Sequence, residues 1–74
     1  MFAIGNVVEF DYDGKVRRVR IEKVAMGYRY LGLIGPVPRL ITGWDYCADY
    51  PVGGYRTFKV EKIENPVLCR PITL

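Results

Sequence analysis

Alternation of apolar and polar positions is clearest near the start of the chain. In Asn6-Val7-Val8-Glu9-Phe10-Asp11-Tyr12, Val8, Phe10 and Tyr12 fall on one side of an extended strand, and Val7, Glu9 and Asp11 fall on the other. Asp13-Gly14 follows, a favoured pair for a two-residue type I′ turn, in which both residues need positive φ. Lys15 to Val24 returns as a second strand rich in β-branched residues. A two-residue loop sets the register, so that Tyr12 faces Lys15, Glu9 faces Arg18 and Val8 faces Val19. Val8 and Val19 are therefore expected inside, and a Glu9–Arg18 pair outside.

The pattern weakens from Met26 to Pro38, where Gly27, Gly32, Gly35 and Pro36-x-Pro38 interrupt regular structure. Tyr28-Arg29-Tyr30-Leu31 reads as a short strand, ended by Gly35-Pro36-Val37-Pro38. Arg39 to Tyr46 reads as strand again, with Leu40, Ile41, Thr42 and Trp44 as β-formers. Asp49 to Gly54 is a turn-rich loop, and Tyr55 to Val60 alternates once more. Pro66, after Glu61-Lys62-Ile63-Glu64-Asn65, is expected to stop a ladder. The tail from Val67 to Leu74 then adds an edge strand or drapes over the fold. Neither a helix beyond about one turn nor an internal repeat is predicted. Short strands joined by tight turns predict an all-β fold, a small barrel whose edges close on each other.

Composition narrows the function classes. A chain of 74 residues has room for one domain, residues 1–74. A domain of this size buries only about 60% of its unfolded surface. With ten aromatic residues (six Tyr, three Phe, one Trp), some rings must reach the surface, where they serve as material for a binding face. The net charge of +3 leans mildly toward anionic partners. Histidine is absent, which removes the commonest general base and the commonest zinc ligand. Cys47 and Cys69 lack metal-site spacing and read as reduced thiols, with a disulfide as the lesser alternative. No metal or other cofactor is expected. The start of the chain lacks a basic region and a long apolar run, and no segment approaches a membrane span, so a cytoplasmic protein is expected.

One segment resembles a known family. Gly43-Trp44-Asp45-Tyr46-Cys47, a loop, and then Tyr55-Arg56-Thr57-Phe58-Lys59-Val60-Glu61-Lys62-Ile63 are similar to the second half of a WYL domain. Val8 to Val24 is similar to that family's opening hairpin, so the resemblance spans roughly residues 6–65, with 66–74 as a tail. The chain departs from the family at Arg39-Leu40-Ile41, where the Trp-Tyr-Leu triplet would fall, and at Glu61-Lys62-Ile63, where the family has Asp-Arg-Ile. A lysine cannot reproduce the bidentate arginine fork, so a phosphate contact at Lys62 is expected to be weaker. The resemblance implies a five-stranded Sm-like (Src-homology-3-like) barrel that binds nucleic acid or a nucleotide-type ligand and has a regulatory role, as a free-standing copy acting on a larger regulatory protein. It places Arg56 at the family's ligand-facing arginine and carries Lys62 over in the same way; Arg39 is a further ligand-binding candidate.

Other candidates come from the residues themselves. Trp44 and Tyr46 share a face by spacing and can stack on a base, although the only Trp of a small domain is also a natural core anchor. Arg18 and Arg20 share a face, with Arg17 on the other; Arg18 opposite Glu9 also reads as an ordinary surface ion pair. Tyr28 and Tyr30 around Arg29 form the aromatic–basic interleaving of single-strand binders, or two core rings beside a solvated charge. For catalysis the inventory is poor. The carboxylates share no recognisable cleft, no glycine-rich phosphate loop precedes a helix, and Cys47 has no histidine to activate it. A non-enzymatic binding module is expected. Its alternative is a protein–protein adaptor using aromatic surface or an open strand edge, and a homodimer through such an edge is compatible with both.

Overall fold

The structure is a computed structural model and describes residues 1–28, 35–48 and 53–69. Strand β1 (Val7–Tyr12) and strand β2 (Lys15–Gly27) form the expected hairpin, pairing Tyr12 with Lys15, Glu9 with Arg18 and Val8 with Val19. Asp13 and Gly14 have φ of 50° and 77°, the positive values that the tight turn demands. Strands β3 (Val37–Asp45) and β4 (Gly54–Lys59) follow, then a 3₁₀ turn at Val60–Lys62 and strand β5 (Glu64–Cys69). All neighbouring strands are antiparallel, in the order β4-β3-β2-β1-β5.

The core lies on one face, here called inner. Val8 and Phe10 of β1, Val19 and Ile21 of β2, Ile41 of β3 and Phe58 of β4 bury their side chains together. These residues alternate along each strand with polar ones, so period-two patterning alone carries them to one side. Phe10 meets Phe58 edge to face at 5.2 Å, and Tyr12 meets Phe58 the same way at 5.0 Å.

The expected closed barrel is not what forms. Among the described residues the sheet is open, with β4 and β5 as its two edges and no pairing between them. Between those edges, a 3₁₀ turn takes Val60 out of the predicted fourth strand. Side chains bridge part of the gap. The Tyr12 hydroxyl on β1 accepts a hydrogen bond from the Lys59 amide at the end of β4 at 3.1 Å, while within the β1–β5 pair Asn65 Nδ2 donates to Asp11 at 3.1 Å. Lys62 lies 3.0 Å from Asp13 and over the Tyr12 ring, 5.1 Å from its centroid. The Asp13 hydrogen bond, then its charge, holds the Lys62 ammonium above the usual lysine range. Replacing Tyr12 with Phe keeps the ring packing and removes one bond, so unfolding in urea should be easier by about 0.5–1.5 kcal/mol. An unchanged midpoint would mean that this clasp adds nothing.

Two further expectations are corrected. Asn65-Pro66 does not end the ladder: β5 contains both residues and pairs with β1. Asn65 adopts φ 52°, and the register shifts between Glu9 and Asp11, so the proline sits at a bulge on an edge strand, where a missing N–H is tolerated. Strand β2 runs on to Gly27, past the predicted end at Val24, because irregularities between Ile21 and Lys23 and between Ala25 and Met26 let it bend with β3. The predicted strand at Tyr28 to Leu31 lies outside the described residues except for Tyr28, which is exposed beyond the end of β2. Among the described residues no helix is long and apolar enough to cross a membrane.

Candidate ligand-binding face

The outer face of the sheet carries one cross-strand row that joins charge to aromatic surface. Arg20 on β2 stands opposite Trp44 on β3, and Trp44 stands opposite Tyr55 on β4. The indole and phenol rings meet at 82°, with centroids 5.0 Å apart. Trp44 is half-buried and lies outside the core cluster, so it is not the core anchor that its uniqueness suggested. Its partner Tyr55 is 62% exposed.

Backbone geometry holds the row in place. A Cβ on Gly43 would come within 2.1 Å of the Arg20 carbonyl oxygen, so only glycine allows β2 and β3 to approach this closely beside the bulge. Gly53, at φ +83°, passes under the indole, where a Cβ would sit 2.7 Å from Trp44 Nε1. Arg20 donates to Glu22 at 3.0 Å and reaches the Tyr46 hydroxyl at 3.5 Å. The Glu22 hydrogen bond, then Tyr46, raises the affinity of this guanidinium for its proton. Tyr46 lies one residue past the end of β3, its amide bound to the Arg18 carbonyl at 2.8 Å. Arg18 forms the expected exposed pair with Glu9 at 3.3 Å.

On the inner face at the same end lies a buried ion cluster. Asp45 is fully buried, and its Oδ2 accepts from Arg17 Nη1 at 3.2 Å and sits 4.0 Å from Arg56 Nε. Its other oxygen accepts from the Cys47 amide at 2.9 Å, which shapes the turn that carries Tyr46. The Arg17 side chain is only 15% exposed, and its Nε has no partner. Arg56 is half exposed, with its Nε facing Asp45.

The predicted site residues therefore separate. Arg20, Trp44 and Tyr46 come together on the outer face, with Arg18 beside them. Arg56 follows Tyr55 in sequence but alternates to the inner face with Phe58. Lys62 is engaged with Asp13 at the far end of the sheet. Arg39 lies 3.8 Å from Glu61 and lays its stem against Gly27. Tyr28 is exposed past the Gly27 end of β2, eight residues on from Arg20, and Tyr30 lies outside the described residues. Sequence reasoning missed Tyr55 and Asp45. Asp45 was legible in principle, since it continues the inward alternation of Ile41 and Gly43. Tyr55 was not, because the loop before β4 leaves the β3–β4 register open.

Cys47 and Cys69 are free thiols, and no group of three or more His, Cys, Asp or Glu that could hold a metal occurs among the described residues. The chain matches no family model, no curated protein and no solved structure.

Proposed function

We propose that this domain is a non-catalytic module that binds single-stranded nucleic acid or a nucleotide-type ligand on the outer face, in a regulatory role like that implied by its WYL-like segments. The observation that carries this reading is the Arg20–Trp44–Tyr55 row, a guanidinium in register with two accessible rings. Aromatic rings accept a base of any identity by stacking, and an adjacent arginine satisfies phosphate oxygens. Arg18 and Arg20 are tied to Glu9 and Glu22 only through exposed ion pairs. Such pairs are worth about 0–1 kcal/mol, so exchanging carboxylate for phosphate costs little. Arg56, half exposed on the edge strand next to Tyr55, is within reach of a ligand that extends over that edge.

Trp44 is the single tryptophan and lies in the proposed site, so its fluorescence reports binding directly. Titration with single-stranded DNA, RNA and nucleotides should quench it. Quenching should fade as salt is added, because phosphate contacts release counterions. Arg20→Ala should weaken binding and flatten the salt dependence. A signal that ignores every nucleotide and oligonucleotide at low salt rejects the reading.

A second reading rests on the open β4 edge, which has no strand partner among the described residues. A protein adaptor could add a strand there. Its binding would be nearly insensitive to salt, which separates it from the first.

A further inference from the structure

The geometry of the outer face points to a site for one nucleotide unit, and we propose that Trp44 and Tyr55 form a corner that takes a single base, with its phosphate on Arg20. This rests on the reading of the outer face as a nucleotide site and narrows its ligand to a nucleoside monophosphate. Two rings at 82° present their faces in different directions. A planar base can lie on one ring and turn its own edge to the face of the other, and aromatic quadrupoles favour both contacts. It cannot stack flat on both. Trp44 is a fixed wall, because Gly53 passes directly beneath its Nε1 edge, while the more exposed Tyr55 is the outer wall.

The next ring along the chain is Tyr46, two residues on from Trp44 and already in the turn past the end of β3. The Arg20 guanidinium lies 3.5 Å from the Tyr46 hydroxyl, so the polar end of that ring is occupied by a charge. Charge limits the footprint as well. Arg18 and Arg20 are each accompanied by a carboxylate, Glu9 at 3.3 Å and Glu22 at 3.0 Å. One phosphate on Arg20 replaces one carboxylate. Beyond Arg20, the next guanidinium on the outer face of β2 is Arg18, which lies opposite Glu9 on β1 rather than beside the Trp44–Tyr55 corner.

The test is a titration of the full chain, followed by Trp44 fluorescence, with adenosine 5′-monophosphate, adenosine, ribose 5-phosphate and oligoadenylates of two, four and eight residues. Adenosine 5′-monophosphate should bind as tightly as the octamer per site, within about threefold, and its affinity should fall as salt is added because salt screens the phosphate–Arg20 attraction. Ribose 5-phosphate should fail to bind. Tyr55→Leu should weaken the monophosphate at least about fivefold, as loss of a stacking ring does, and Tyr55→Phe should restore it. Tyr28→Leu should change it less than about twofold, since Tyr28 is exposed past the Gly27 end of β2 and outside the corner. Thermal melting of each variant separates lost binding from lost fold. Affinity that climbs more than tenfold from monomer to octamer overturns the single-base corner and leaves the nucleic-acid reading standing. Absence of binding by any of these ligands overturns both.

Discussion

Asp45→Ala should cost about 3–5 kcal/mol of folding stability, the penalty for removing one partner of a buried ion pair. A domain of 74 residues has roughly 4–11 kcal/mol in total, so the variant should be largely unfolded or close to it. The cause is what remains behind. Arg17 is already without a partner at Nε, and losing Asp45 would leave its Nη1 unsatisfied too, in a site that water barely reaches. The Cys47 amide loses its acceptor in the same step, which loosens the turn bearing Tyr46. Paired replacement should behave differently. Arg17→Met with Asp45→Leu removes both charges, and buried pairs replaced by apolar residues are often neutral or stabilising. Urea denaturation of the single and double variants measures this directly. A single variant as stable as the parent would show that the cluster is wetter and weaker than its burial indicates.

Gly43→Ala should cost at least about 2 kcal/mol, toward the upper end of overpacking penalties. The new methyl would sit 2.1 Å from the Arg20 carbonyl oxygen and 2.9 Å from Val19 Cγ1. A flexible side chain could swing aside, but a carbonyl in the ladder cannot move without parting β2 from β3. Since Arg20 and Trp44 flank this point, the variant should also lose ligand quenching at temperatures where it remains folded. Thermal melting followed by near-ultraviolet circular dichroism, which reads the Trp44–Tyr55 ring pair, tests both effects in one sample. A normal melt with an unchanged aromatic spectrum would sink the claim that close strand approach sets the site.

Local chemistry made the first hairpin legible down to its register. Asp13-Gly14 dictates a turn length, and turn length dictates which residues face each other; the Glu9–Arg18 pair and the buried Val8 and Val19 follow from it. Arg17 was separable from Arg18 and Arg20 by alternation alone. Elsewhere no such ruler existed. Between Asp45 and Tyr55 the chain has two glycines and a proline but no fixed turn pair, so Tyr55 could not be set opposite Trp44 from sequence. The barrel expectation failed for a related reason: closure depends on where β4 ends, and Val60 has the β propensity of a strand residue but the 3₁₀ geometry of its neighbours Glu61 and Lys62. Pro66 misled because a rule valid for central strands was applied to an edge, where a bulge accommodates it. Arg56, weighted most heavily through the family resemblance, lands on the opposite face from Trp44, since neighbours in a strand point apart.

The unequal edges of this sheet have a bearing on self-assembly. Fibrous growth needs two competent templates per molecule, one to receive a strand and one to offer it. Strand β5 is a poor template, kinked at Asn65 and lacking a donor at Pro66, whereas β4 has no proline and no positive-φ residue between Tyr55 and Lys59. Molecules that pair through β4 consume their one receptive side and expose only blunted ones. Polymerisation is thereby terminated at the first step, and concentrated solutions should resist fibre formation even though the sheet never closes.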